Sequence, residues 1–195
     1  MASLQYDPFS NYLRDAINNA ELEPFISELK NHFRVLLLKK NDYLVHEGEI
    51  CLYFCFLESG VLQHSISVLD EEKTTYLALR STVTSSLSSF LLKKPSRKSI
   101  KAIADCRLWV IGHNDFSELR QNNKAFSQFY YNIIEKQICL IDDYRIDLLT
   151  LTPEERYTKL LVNEPVLLQQ VPLHYLASFL GISSRHMSRI RKNIK

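Results

Sequence analysis

The segment Pro172 to Lys195 constrains the fold most, because its residues match the spacing of two short helices that cross at a tight turn. Counted from Leu173, such a pair needs a small residue at the fifth position, where the helices approach closely. It needs glycine at the ninth, where the first helix ends with a positive φ. Ala177 and Gly181 stand there. The apolar positions that bury the joint are also filled, by Leu176, Leu180, Ile182, Met187 and Ile190. The segment therefore predicts a helix-turn-helix.

The second helix of this pair is basic. Ser183 is a good N-cap for it, and no Asp or Glu occurs from Ser184 to the last residue of the sequence. A basic helix face suits the phosphate-lined grooves of DNA. The alternative is an ordinary helical hairpin whose basic face is solvated. The basic residues of this helix are Arg185, Arg189, Arg191, Lys192 and Lys195.

Charge is unevenly distributed along the 195 residues, whose formal net charge is +2. Before Leu151 there are 17 Lys and Arg against 19 Asp and Glu, a net charge of −2. After it there are 7 against 3, a net charge of +4. The C-terminal part is therefore expected to bind an anionic partner.

Several classes of protein are disfavoured by what the sequence lacks. It has no apolar run of about 18 residues and no basic-then-apolar N-terminus, so a cytoplasmic protein is expected. No glycine-rich phosphate loop or catalytic motif occurs, so neither an enzyme nor a cofactor is expected.

The six histidines are scattered, and each is predicted to be a surface or satisfied residue. The cysteines lack metal-binding spacing and are predicted to be buried thiols: Cys51, Cys55, Cys106 and Cys139.

Upstream, two kinds of pattern follow one another. Residues 8–31 have helical spacing and predict one or two helices. From Phe33 to Ile111, seven short β-rich runs separated by turn-like clusters predict an antiparallel roll or barrel. Gly48, Gly60 and Gly112 lie at expected strand ends, where they are predicted to form sharp turns.

A long helix is predicted to end near Leu149, within a helical segment that begins at Asp115. It has two adjoining apolar stripes, so it must be covered twice, once by its own domain and once by something else. The simplest second cover is the same helix of another subunit. The alternative is a helix fully buried within a monomer. One stripe contains Phe126, Tyr130, Ile133, Leu140 and Tyr144, and the other contains Tyr131, Ile134, Ile138, Ile141 and Leu148.

A new helix is predicted to begin after Thr152. This residue can act as the N-cap, Pro153 suits the first helical position, and Glu155 completes a capping box. A domain boundary is expected here.

The order of these elements resembles the Crp-Fnr family of bacterial transcription regulators. The specific matches are ValHisGluGlyGlu at 45–49, LeuTyrPheCysPheLeuGluSerGly at 52–60, and GlyIleSerSerArgHisMetSerArgIleArg at 181–191. The resemblance implies that the first two form glycine-turned strands of a cyclic-nucleotide-binding-like roll. The third looks like the recognition helix, with Arg189 as the arginine that reads base edges. The implied fold is α+β: a jelly-roll sensor domain (1–122), a dimerisation helix and linker (123–151) and a helix-turn-helix domain (152–195). The β-hairpin wing that follows the recognition helix in the best-known members is not expected.

The chain departs from the cyclic-AMP binders of that family. Those proteins hold the ribose with the glutamate of a Gly-Glu pair and the phosphate with the arginine of a Pro-Arg-Ser/Thr-Ala segment. Here no acid or glycine occurs between Arg80 and Asp105, and Ser96 stands in place of the arginine. Arg97 comes one residue late, and such a shift turns a side chain to the opposite face. Cyclic AMP and cyclic GMP are therefore not expected as effectors, and the ligand candidates are weak: Arg97 and Lys98. The cysteine cluster of the oxygen-sensing relatives, which holds an iron–sulfur centre, is also absent.

The sequence thus predicts a homodimeric, sequence-specific DNA-binding transcription regulator whose effector is unknown or absent. The implied partners are double-stranded DNA, a second copy of the chain and RNA polymerase. The competing hypothesis is a ligand-binding or protein-interaction module with a vestigial DNA-binding domain. The base-edge candidates are Ser184, Arg185, Ser188 and Arg189, and the phosphate candidates are Ser183, Arg191, Lys192 and Lys195.

Overall fold

The computed structural model describes residues 7–193, in which helices flank a β-roll. Before the roll lie α1 (Pro8–Ile17), a 3-10 helix (Ala20–Phe25) and α2 (Ile26–Asn31). The roll contains β1 (Arg34–Leu38), β2 (Tyr43–Val45), β3 (Tyr53–Ser59), β4 (Leu62–Val68), β5 (Glu71–Ala78), β6 (Thr82–Thr84), α3 (Leu87–Leu92), β7 (Ser99–Ala102) and β8 (Cys106–Gly112). After it come α4 (His113–Asn122), α5 (Lys124–Thr150), α6 (Pro153–Asn163), α7 (Pro165–Gln170), α8 (Leu173–Leu180) and α9 (Ser184–Asn193).

The roll consists of two four-stranded antiparallel sheets. Their strand orders are β1-β8-β3-β6 and β2-β7-β4-β5. The predicted antiparallel roll followed by helices is confirmed. The seven β-rich runs correspond to seven of these strands, whereas β6 and the short helices α3 and α7 were not predicted because each is too brief to show a period.

Aromatic packing fixes the N-terminal helix on the roll. Phe9 of α1 is fully buried, and its ring centroid lies 4.8 Å from that of Phe33, 5.0 Å from that of Phe56 and 5.3 Å from that of Trp109. Burying one such ring contributes about 1.5–3 kcal/mol. The end of α1 is also tied to α5, because the Asn132 amide donates to the Ala16 carbonyl at 2.8 Å.

Gly60 makes the turn between β3 and β4 possible. Its φ is +96°, and a Cβ added there would lie 2.5 Å from the Asp105 carbonyl oxygen and 2.6 Å from Cys106 Sγ. Both the conformation and the space therefore require glycine. The same prediction for Gly112 was wrong: its backbone is extended, with φ −78° and ψ 165°, and it only precedes α4.

The N-terminal half of the long helix α5 packs against the roll, whereas Leu140 of the first stripe and most residues of the second stripe are exposed. The Asn123 side chain caps it by accepting the Phe126 N–H at 3.0 Å, and Phe126, Phe129 and Ile133 are buried against the roll. On the second stripe, Ile138 and Ile141 are each 63% exposed. Tyr131 and Leu148 on this stripe are exposed as well. Within residues 7–193, no helix is long and apolar enough to cross a membrane.

The C-terminal helices share a core with the outer face of the roll. The predicted capping box at Thr152 and Glu155 is confirmed, with Pro153 as the first residue of α6. Side chains of α8 and α9 belong to the same buried cluster as Val61 and Leu77 of the roll. In addition, the Thr74 N–H of β5 donates to Ser178 Oγ at 2.9 Å. Since β5 is an edge strand of its sheet, α8 closes that edge.

Three of the four cysteines are buried as predicted: Cys51, Cys55 and Cys106. Burial raises the pKa of Cys106 to about 11 and that of Cys55 well above its usual value, so both are thiols at neutral pH. The prediction was wrong for Cys139, which is exposed because α5 has left the roll at that point.

Candidate functional site

The turn between α8 and α9 has the geometry that its residues predict. Gly181 adopts the left-handed conformation with φ +72°, and the Ile182 N–H donates to the Ala177 carbonyl at 3.0 Å, which closes the end of α8. Ser183 caps α9 by accepting the His186 N–H at 3.2 Å. Ala177 and Met187 are buried at the crossing. The turn and the buried crossing thus fix the orientation of α9 relative to α8.

The basic residues of α9 lie on the face away from this crossing. At 3.6 residues per turn, Arg185, Arg189 and Lys192 project opposite the buried pair Met187 and Ile190. Ser188 lies on the same outer face, while Ser184 and Arg191 flank it and Ser183 stands at its N-terminal end. These candidates from Ser183 to Lys192 are all exposed. Lys195 lies outside the described residues.

One carboxylate stands beside this basic face, although α9 itself has none. Glu154 at the start of α6 lies 2.7 Å from His186 Nε2. A hydrogen bond from its own backbone N–H and the contact with His186 hold the pKa of Glu154 below its usual value, and the nearby charge of Arg189 acts in the same direction. The sequence pattern did not indicate this contact because 32 residues separate the two partners.

Ser96 stands where the cyclic-AMP binders have the phosphate-binding arginine, and it forms a hydrogen-bonded pair with Ser86. Ser96 is only 3% exposed, and its hydroxyl donates to the Lys98 carbonyl at 2.6 Å. Ser86 Oγ lies 2.7 Å from Ser96 Oγ and must act as the donor to it, because the Ser96 proton is already used. Both hydroxyl protons are thus used in hydrogen bonds within the chain. Arg97 is exposed, as the one-residue shift predicts.

A cavity of about 700 Å³ lies between the roll, α5 and the C-terminal helices. At its roll end it is lined by His64, Thr75, Tyr76, Thr84, Ser85 and Lys98. At its helix end it is lined by Asp143, Tyr144, Asp147, Arg156, Lys159 and Glu164. Its apolar walls include Phe54, Val83, Leu87, Ile133, Ile134, Leu140 and Ile141.

The roll end of the cavity contains a buried histidine that the sequence analysis did not single out. His64 is 2% exposed, with Nε2 at 2.7 Å from Thr84 Oγ1 and Nδ1 without a hydrogen-bond partner among the described residues. Burial lowers the pKa of His64 well below its usual value, and the charge of Lys98 lowers it further, so the ring is neutral at pH 7. The available signal was its place between Leu62 and Ile66 on the alternating inward face of β4.

At the helix end, Arg156 joins α6 to α8. Its Nη2 donates to the Leu180 carbonyl at 2.8 Å and its Nη1 to the Leu151 carbonyl at 3.3 Å. Its buried Nε has no partner within the described chain. An ion pair between Lys159 and Asp147 connects α6 to α5 beside it. This end of the cavity is therefore built from the contacts that position the C-terminal helices.

Comparison with known proteins agrees with this architecture. Residues 35–123 match the family model of the cyclic nucleotide-binding domain. A comparison with curated protein sequences found no match. Similar solved structures include FixK2 of Bradyrhizobium japonicum, with a TM-score of 0.71 and 13% identity over 83% of this chain and 84% of that one.

Two further structures are similar over most of their length. The catabolite activator protein of Thermus thermophilus has a TM-score of 0.57 and 18% identity over 92% of this chain and 86% of that one. The c-di-GMP responsive global regulator CLP of Xanthomonas campestris has a TM-score of 0.67 and 17% identity over 88% of this chain and 90% of that one. These neighbours are Crp/Fnr-type transcription regulators. At such identities the likeness shows the fold.

Proposed function

We propose that the chain is a homodimeric, sequence-specific DNA-binding transcription regulator of the Crp-Fnr type that cyclic AMP does not control. The observation that carries the proposal is the exposed outer face of α9, with Arg185, Ser188, Arg189 and Lys192 opposite the buried crossing with α8. The major groove of B-DNA is about 12 Å wide and admits one helix with such a face. The fold shared with transcription regulators supports the same reading.

Within α9, the roles divide by position. Arg189 is central on the outer face and is assigned a bidentate contact to guanine O6 and N7, with Arg185, Ser184 and Ser188 as further base-edge contacts. Ser183, Arg191, Lys192 and Lys195 are assigned to phosphates, which set the register of the helix. Glu154 holds His186 to one side, so this histidine is left out of the contact set.

The second stripe of α5 supports a homodimer. Tyr131, Ile134, Ile138, Ile141 and Leu148 recur at alternating three- and four-residue steps, with only Arg145 interrupting the series, which is the spacing of a coiled-coil seam. Exposed isoleucines in such a seam are stabilised by a second copy of the same helix. In this arrangement residues 1–122 are the sensor domain, 123–151 the dimerisation helix and linker, and 152–195 the DNA-binding domain.

Selection of bound sequences from random DNA tests the proposal. A two-fold symmetric dimer is expected to enrich a palindrome whose half-sites are about 34–36 Å apart, one turn of DNA. The Arg189→Ala protein serves as the matched control and is expected to lose the preference for guanine at one position of each half-site. If the wild-type protein enriches nothing at moderate salt, the proposal is wrong, and a ligand-binding or protein-interaction module with a vestigial DNA-binding domain takes its place.

A further inference from the structure

One arginine side chain bridges the C-terminal ends of two helices, α5 and α8. Arg156 Nη1 donates to the Leu151 carbonyl at 3.3 Å, and Nη2 donates to the Leu180 carbonyl at 2.8 Å. Leu151 is the C-cap of α5, and Leu180 is the last residue of α8. Both acceptors are backbone atoms, so the position of the bridge does not depend on the rotamer of a second side chain.

The acceptors at these helix ends favour a cation. The last carbonyls of a helix have no partner within the helix, and they carry the negative end of its dipole. The guanidinium is also partly withdrawn from solvent, because Arg156 Nε is buried. Its charge is felt by the neighbouring Tyr144, whose pKa is raised by burial while Arg156 opposes the rise. The two hydrogen bonds of Arg156 therefore form where water competes little for the donors.

The bridge also determines where α9 lies relative to α5. Directly after Leu180, the Gly181 N–H donates to the Ser178 carbonyl at 3.1 Å and the Ile182 N–H to the Ala177 carbonyl at 3.0 Å, so the turn into α9 is closed by backbone bonds. A guanidinium that holds the end of α8 to the end of α5 thus holds α9 as well.

Two further links join α5 to the C-terminal helices, and both connect side chains. Tyr144 stacks on Phe179, and Lys159 forms an ion pair with Asp147. Each of these links can shift when a long side chain changes its rotamer. Arg156, by contrast, fastens one backbone to another through a single planar group.

We propose that Arg156 is the positioning residue that sets the spacing of the DNA half-sites that the homodimer accepts. The inference rests on the proposed function, in which α5 forms the dimer and α9 enters the major groove. In a two-fold dimer, a rotation of α8 and α9 about the end of α5 occurs in both subunits and changes the separation of the two α9 helices. One added base pair moves a half-site by about 3.4 Å and turns it by about 35°, so a fixed separation selects one spacer length.

Fluorescence anisotropy of the full chain tests this role with four duplexes. They carry the selected palindrome, the same palindrome with a spacer one base pair longer or shorter, and a single half-site. Wild-type protein is expected to bind either altered spacer about tenfold or more weakly, because both half-sites cannot then be engaged together. Arg156→Lys keeps the charge and loses the planar donor pair. It is expected to discriminate between spacers by about threefold or less and to bind the single half-site like the wild type.

Two further variants make the result decisive. Arg156→Met removes the charge as well and is expected to lose the same discrimination, whereas Arg120→Lys, at an exposed arginine of α4, should behave like the wild type. The inference is overturned if either Arg156 variant discriminates between spacers like the wild type. It is also overturned if both lose half-site binding, since Arg156 would then serve folding alone.

The wild-type results separate this inference from the proposed function. A wild-type protein that binds the palindrome without a preferred spacer overturns the role of Arg156 and leaves DNA binding intact. A wild-type protein that enriches no palindrome in the selection overturns the proposed function and this inference with it.

Discussion

Tyr144 of α5 stacks on Phe179 of α8, with ring centroids 5.7 Å apart and ring planes inclined by 15°. This contact joins the long helix to the first helix of the α8–α9 pair. Burial raises the pKa of Tyr144, in keeping with its place against α8, and both rings line the cavity. The stacked rings therefore connect α5 directly to the helix that supports α9.

The coupling between these rings can be measured with a double-mutant cycle of Tyr144→Leu and Phe179→Leu. Stacked aromatic pairs contribute about 0.5–1.5 kcal/mol beyond the area they bury, so the two losses in unfolding free energy are expected to be non-additive by that amount. Urea denaturation of the four proteins provides the values. Additive losses would mean that the rings touch without stabilising the interface.

Replacement of Arg189 by alanine is expected to weaken binding to the selected DNA site by about 1–3 kcal/mol, because a bidentate contact to guanine is lost. Binding to random DNA should change much less. Lys192→Ala is the matched comparison, since a phosphate contact weakens both kinds of DNA about equally. Gel shifts at constant salt give both affinities, and equal losses with Arg189→Ala would make this residue a phosphate contact.

A charge placed in the exposed stripe of α5 is expected to separate the subunits. Ile138→Glu puts a carboxylate into the apolar seam, where its desolvation opposes association. Analytical ultracentrifugation should show a wild-type dimer and a monomeric variant with weak DNA binding. Val162→Glu, at an apolar residue that is 75% exposed on α6, should remain dimeric. A wild-type monomer at micromolar concentration contradicts the dimer.

Cyclic AMP and cyclic GMP are expected to produce no saturable heat at tens of micromolar. The Ser86–Ser96 pair offers neither a carboxylate for the ribose nor a guanidinium for the phosphate. Each missing hydrogen bond to a charged group costs about 1.5–3 kcal/mol, so the two together move a micromolar site to about millimolar. An isotherm of one nucleotide per subunit would contradict this interpretation of Ser96 and of the acid-free stretch before Asp105.

The stability of the protein is expected to fall as the pH drops below about 6.5, the ordinary pKa of histidine. His64 has a lowered pKa in the folded state, so the unfolded chain takes up its proton first and unfolding is favoured in acid. One such proton gives a slope of up to about 1.4 kcal/mol per pH unit. Urea denaturation at pH 7.5 and 5.5 should show a smaller difference for His64→Gln than for the wild type. Equal differences would exclude His64 as the cause.

Sequence patterns predicted the turns and helix caps, because these features depend on the spacing of neighbouring residues. Gly181, Ser183 and the capping box at Thr152 each work through backbone atoms within a few residues, so their roles follow from the order of amino acids. The contacts of Glu154 with His186 and of Lys98 with the cavity depend on which elements meet in space, and no local period encodes that. Cys139 was misjudged for the same reason, since its exposure depends on where α5 leaves the roll.

The hydrogen bond from the Thr74 N–H to Ser178 covers a backbone donor that would be exposed if α8 left the roll. A backbone donor on an edge strand that has lost its cover is available to another chain, which can add a strand of its own. Release of α8 from β5 therefore exposes an unpaired strand edge on the roll. The C-terminal helices thus oppose self-association through the edge of β5. A protein shortened before α6 is expected to precipitate more readily than the intact chain.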